Sequence, residues 1–249
     1  MNFGLVISTC KHYYKNIPEL IEQLEACNFP KENIIIVSGQ EDETSTADEN
    51  GIKFIKETYT GLHLTGIIHI FENYELYKDI SYWIVLPDTV KIGPQFYNNI
   101  SSFFNNCIKN DIIYSIPFIN PAFRQTMDMG ILHNKQIQNM GNYLIKIKLN
   151  QPYTPDKVIN LKNQLIIDEN TILGCSVGEC LPKNLRTMFR YRDPNFKPPS
   201  IFLCHKNYIK EYTSMLNNKI VNCVVFTNID LVKIQRNFNG FKNKLIMTL

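Results

Sequence analysis

The run Tyr82-Trp83-Ile84-Val85-Leu86 is the fourth of a series of short apolar segments separated by amphipathic ones. That alternation constrains the fold more than any other feature. Phe3 to Ser8 and 33–39 each carry an unbroken apolar run, Phe3 to Ile7 and Ile34 to Val37, as strands covered on both faces do. Ile52 to Lys56 is a third, shorter strand. Between them, residues 11–27 place Ile17, Leu20, Ile21 and Leu24 at helical spacing behind Pro18, and residues 62–77 place Leu64, Ile67, Ile68, Phe71 and Leu76 likewise. Strands alternating with helices predict an α/β fold with a mostly parallel sheet flanked by helices. Residues 41–50, acidic and polar, read as a surface loop.

After Leu86 the chain reads Pro87-Asp88-Thr89, then a Gly93-Pro94 turn and a helix over 94–109. Further strands are expected over 111–118 and 129–132, with a helix over 135–147. The rest reads as a helix over 155–170, a loop over 186–199, a strand over 200–204, a helix over 206–216, a strand over 221–227 and a basic terminal segment from Leu231. No linker or internal repeat divides the 249 residues, a length that suits one large α/β domain. The expected organisation is one domain, with 1–132 as its nucleotide-binding half and 133–249 as its acceptor-binding half.

Charge and cysteine usage narrow the function classes. The net charge is +3, with 26 basic and 23 acidic residues spread along the chain. A nucleic-acid protein would cluster its basic residues on one face, so no nucleic-acid partner is expected. The seven cysteines are an odd number without a C-x-x-C pair. This argues against a disulfide framework and a standard zinc site, and for a reducing, cytoplasmic compartment. The N-terminus lacks signal-peptide features, and no stretch approaches the ~18 apolar residues of a membrane helix. The absence of G-x-x-x-x-G-K-[ST], of G-x-G-x-x-G after the first strand, and of G-x-S-x-G disfavours P-loop kinases, dinucleotide enzymes and α/β-hydrolases.

Candidate site residues follow from position. In open α/β sheets ligands gather at the carboxyl ends of strands. Asp88 stands at such an end, and a hard carboxylate there suits a divalent cation that carries phosphates; its other reading is a turn or helix cap. Ser8-Thr9-Cys10 and Ser38-Gly39 stand at two more strand ends. Their small polar side chains suit a nucleobase or ribose, or equally a helix cap and a turn. Gly61, His63 and Thr65 open the next helix. Arg190 and Arg192 sit in a late basic loop suited to a diphosphate, or form a solvated basic face. Asp168 and Glu169 form an acidic pair able to take a proton, or a solvated helix end, with Asp128 and Glu179 as rivals.

The order of elements, with Asp88 after the fourth strand, resembles that of GT-A (Rossmann-like) nucleotide-sugar glycosyltransferases. Within them it is most similar to the small soluble enzymes of large DNA viruses and bacteria. The resemblance is to element order over residues 3–132, and looser beyond. It implies a UDP- or GDP-activated sugar donor, a glycan or glycoprotein acceptor and Mn2+ or Mg2+. Asp88, with His205 as a further ligand, would hold the metal. Ser8, Thr9, Cys10, Gly39, Gly61, His63, Thr65, Arg190 and Arg192 would hold the donor, and Asp168 or Glu169 would be the base of an inverting transfer. A viral enzyme would work in the host cytoplasm. The family's Asp-x-Asp is here Leu86-Pro87-Asp88, without the first carboxylate. A sugar-phosphate nucleotidyltransferase would carry a Gly-rich basic loop after the first strand, which Ser8 to Tyr14 lacks. A non-catalytic nucleotide- or glycan-binding protein is the remaining alternative.

Overall fold

Apolar runs too short for buried helices become strands, and here the first four lie together in one sheet. A computed structural model describes residues 2–108, 116–120, 125–139, 141–149, 151, 223–226 and 229–234. The main sheet has seven strands in the order β3-β4-β2-β1-β5-β8-β7. These are β1 (Phe3–Cys10), β2 (Ile34–Gly39), β3 (Ser45–Glu49), β4 (Ile52–Lys56), β5 (Tyr82–Pro87), β7 (Ile116–Asn120) and β8 (Gln125–His133). The four central strands β4, β2, β1 and β5 run parallel, while β3, β8 and β7 pair antiparallel outside them. A smaller antiparallel sheet joins β6 (Val90–Ile92), β10 (Leu231–Ile234) and β9 (Cys223–Phe226).

Each face of the main sheet carries its own core. Alternate residues Leu5, Ile7, Ile34, Ile36, Ile84 and Leu86 pack with α1 (Ile17–Ala26), α4 (Phe96–Ile108) and the β6–β10 sheet. The intervening Val6, Ile35, Val37, Trp83 and Val85 pack with α2 (Thr65–Glu72), α5 (Asn134–Asn139) and α6 (Gly141–Leu149). This two-sided burial explains why β1, β2 and β5 read as unbroken apolar runs.

Several elements depart from the sequence reading. Residues 45–49, expected in a loop, form β3 at the sheet edge with every residue exposed. Its Asn50 and Gly51 take positive φ (56° and 86°), the two-residue hairpin turn that an Asn-Gly pair favours. The first helix starts as a 3-10 segment over Lys11–Asn16. The helix expected over 62–77 is three pieces: a 3-10 turn at Leu62–Leu64, then α2, then α3 (Tyr74–Tyr77). The break at Asn73 shifts the phase, so Leu76 points outward at 73% exposure instead of joining the core. Between Asp88 and the Gly93 turn lies β6, whose partner β10 opens the expected terminal segment. The two helices, the loop and the strand expected between 155 and 216 lie outside the described residues.

Candidate functional site

The strand order places a topological switch point between β1 and β5. The chain builds outward from β1 through β2 to β4, then returns to add β5 on β1's other side. At such a point the connections leave in opposite directions and a crevice opens at the carboxyl ends, where open α/β sheets bind ligands. Thr9 ends β1 there and Asp88 follows β5.

These two residues are joined directly. The Thr9 hydroxyl donates to Asp88 Oδ2 at 2.9 Å across 79 residues of sequence. The Asp88 backbone N–H donates to Ser8 O at 3.1 Å, prolonging the ladder by one step. Asp88 is 8% exposed. Burying a carboxylate is costly without hydrogen-bond partners, and Thr9 supplies one. Leu86, in the place where the resembled enzymes carry their first carboxylate, is fully buried against α4's side of the sheet. Cys10 lies half-buried at the rim. Burial pushes its thiol up, and the negative field of Asp88 adds to the effect, which favours the neutral form.

The neighbouring residues build the rest of the crevice. The Ser8 hydroxyl donates to His63 O at 3.0 Å and accepts from Gly66 N–H at 3.0 Å, fastening the start of α2 to β1. A Cβ at Gly66 would lie 2.3 Å from Val6 Cγ2, so only glycine lets helix and strand approach this closely. Thr65 is fully buried. Its hydroxyl accepts from Gly61 N–H at 3.0 Å and donates to Leu62 O at 2.8 Å. Ser8 and Thr65 are thus committed to the scaffold, and the half-buried His63 holds α2 in place through its carbonyl. Gly39 ends β2 beside Cys10, its register partner.

One cluster escaped the sequence reading. The Tyr14 hydroxyl donates to Glu41 Oε1, and the Ser38 hydroxyl donates to the same oxygen at 2.5 Å. Burial, and after it the hydrogen bond to Glu41, push the Tyr14 phenol up to about 12. Glu41 read as a loop acid, yet Gln40 at φ 61° turns the chain back after β2 and presents it to the 3-10 segment. The polar cap over β1 and β2 is therefore Tyr14, Ser38 and Glu41, next to Cys10.

Thr9 and Asp88 are brought together, with Ser8, Cys10, Gly39, Gly61, His63 and Thr65 around the same strand ends. The side chain of Asp128 on β8, and Asp168, Glu169, Glu179, Arg190, Arg192 and His205, lie outside the described residues. Among those described, no three His, Cys, Asp or Glu side chains gather as a metal cluster. Asp88 provides one carboxylate, a donor set that fits a hard cation already carrying diphosphate oxygens and not a cage made by protein alone. No helix of the described residues is long and apolar enough to cross a membrane.

The chain matches no protein-family profile and no curated protein sequence. Among solved structures it is similar to a glycosyltransferase involved in the glycosylation of the major capsid of PBCV-1. That match has 14% identity over 87% of this chain and 92% of the other, with a TM-score of 0.37. It is also similar to the apo form of the glycosyltransferase GlyE of Streptococcus pneumoniae TIGR4, at 13% identity and a TM-score of 0.37. The second match covers 88% of this chain but 50% of GlyE, so the chain spans half the length of that structure. Identities this low transfer no activity to this chain.

Proposed function

We propose that the chain is a glycosyltransferase that moves a sugar from a UDP- or GDP-activated donor to a hydroxyl of a glycan or glycoprotein acceptor. The observation that carries this reading is the Thr9–Asp88 hydrogen bond at the switch point. It fixes a buried carboxylate where an α/β sheet offers its ligand crevice. The polar cap of Tyr14, Ser38 and Glu41 beside it supplies oxygen acceptors suited to ribose hydroxyls or the N–H groups of a base edge. The absence of a Gly-rich phosphate loop after β1 separates this crevice from that of a dinucleotide enzyme.

In this reading Asp88 holds Mn2+ or Mg2+, which when bound offsets the charge of the donor diphosphate. The acceptor oxygen forms a bond to the anomeric carbon. The bond from that carbon to the diphosphate breaks, and its electron pair leaves with the nucleoside diphosphate. The hydroxyl proton passes to a carboxylate on the acceptor side, the role assigned to Asp168 or Glu169 in an inverting transfer. Most of the donor site lies within residues 1–132, and the acceptor side within 133–249.

A panel of UDP-, GDP-, CMP- and dTDP-sugars, assayed for donor hydrolysis and for transfer with and without Mn2+, tests the reading. Release of UDP or GDP by the wild type, lost in Asp88→Asn, is expected. A second reading, a non-catalytic nucleotide- or glycan-binding protein, draws on position 86, where a buried leucine stands in place of the first carboxylate of the resembled enzymes. Nucleotide binding without any turnover favours it. Absence of both sinks both.

A further inference from the structure

The residue after Asp88 is met by a charged group from far along the chain. Lys233 lies on β10, in register with Val90 of β6, and its ammonium donates to the hydroxyl of Thr89. Thr89 directly follows Asp88, while Lys233 is 144 residues away in sequence. A positive side chain is thereby held on the residue that follows a buried carboxylate at the carboxyl end of β5.

The delivery is fixed at both ends of β10. Ile234 N–H donates to Thr89 O at 2.8 Å. At the other end Asp230 takes a left-handed φ of 54°, accepts Gln95 N–H on Oδ2 at 2.9 Å and accepts Gly93 N–H on its carbonyl at 2.8 Å. A non-glycine residue held there costs of order 1 kcal/mol and persists because its surroundings over-determine it. Leu231 and Val232, between these ties, are fully buried. Lys233 itself is half-buried. A lysine serving only solubility needs no such mounting, whereas a cation that meets a ligand gains from being held in advance.

We propose that Lys233 is a donor-binding residue whose ammonium holds a phosphoryl oxygen of the nucleoside diphosphate beside Asp88. This rests on the nucleotide-sugar reading above. It adds a cation borne by the chain itself, so part of the diphosphate affinity persists when divalent ions are chelated.

The test uses the full chain and calorimetric titration with UDP and GDP, in EDTA and again in Mn2+. Lys233→Met is expected to weaken diphosphate binding in EDTA by roughly ten-fold to a hundred-fold, the range of a hydrogen bond to a charged group. Lys233→Arg retains most of the affinity. Thr89→Val removes the tie but keeps the ammonium, and stays within about three-fold of wild type while losing thermal stability. A measurement on the wild type guards against a variant that does not fold. Saturating UDP or GDP slows acetylation of Lys233 by acetic anhydride several-fold, and uridine or guanosine does not. Wild-type affinity in a folded Lys233→Met, or acetylation unchanged by bound nucleotide, overturns the proposal and leaves the nucleotide-sugar reading standing. A wild type that binds neither nucleotide overturns both.

Discussion

Gly66→Ala tests the close approach that forms the back of the crevice. The added Cβ would sit 2.3 Å from Val6 Cγ2 and 3.1 Å from Ser8 Oγ. Carbon atoms in contact rest ~3.5–4.0 Å apart, so the shortfall is about 1.2–1.7 Å. Val6 is fully buried on the central strand and cannot swing into solvent, so α2 must lift from β1. Overpacking of this kind costs about 1–3 kcal/mol. Lifting α2 also stretches the Gly66 N–H to Ser8 bond, worth about 1 kcal/mol. Alanine's better helix propensity returns at most ~1 kcal/mol. The net expectation is a loss of about 1–3 kcal/mol, or roughly 2–12 °C in Tm for a chain of this size. Urea unfolding followed by circular dichroism reads it, and Val6→Ala supplies the control. Removing the methyl that Gly66→Ala meets makes the double variant more stable than the two single losses predict, by about 1 kcal/mol. An unchanged or raised Tm in Gly66→Ala, or strict additivity with Val6→Ala, refutes the reasoning.

Further outcomes follow from the same geometry. Thr9→Val removes a buried donor from a carboxylate and is expected to cost about 1.5–3 kcal/mol, falling toward ~1 kcal/mol in an Asp88→Asn background; equal costs in the two backgrounds, measured by chemical denaturation, contradict a charged Asp88. Burial, and after it the charge of Lys135, hold His133 below its ordinary 6.5. The unfolded chain therefore binds the extra proton first, and stability should fall as pH drops below about 6.5. His133→Gln should flatten that part of the pH–stability curve, and an unchanged slope rules the histidine out. Tyr14, pushed up to about 12, should remain un-ionised at pH 11 in the folded state. The difference in ultraviolet absorbance between wild type and Tyr14→Phe reads this, and phenolate appearing near pH 10 counts against its bond to Glu41.

The parallel core was legible because full burial leaves its mark on every residue: Leu5 to Ile7, Ile34 to Val37 and Ile84 to Leu86 have no polar member. Strand β3 was not, because Ser45 to Glu49 faces solvent on both sides and is held by backbone bonds to β4. Only Asn50-Gly51 betrayed the hairpin. Strands β6 and β10 are three and four residues long and stabilise each other, so neither has a pattern alone. The site divides the same way. Asp88 was readable from its place after an apolar run, and Thr9 from the end of another. That their side chains meet depends on strand order, which a local pattern does not contain. Lys233 was out of reach for the same reason, since its neighbour Thr89 is 144 residues away.

Backbone hydrogen exchange of the wild-type chain, with and without saturating UDP and GDP in Mn2+, tests the central claim most directly. A donor seated at the β1–β5 switch point should slow exchange over residues 8–11, 38–41 and 87–90, and leave 74–81 unchanged. Protection confined to other segments, or binding with no change at residues 87–90, contradicts the account.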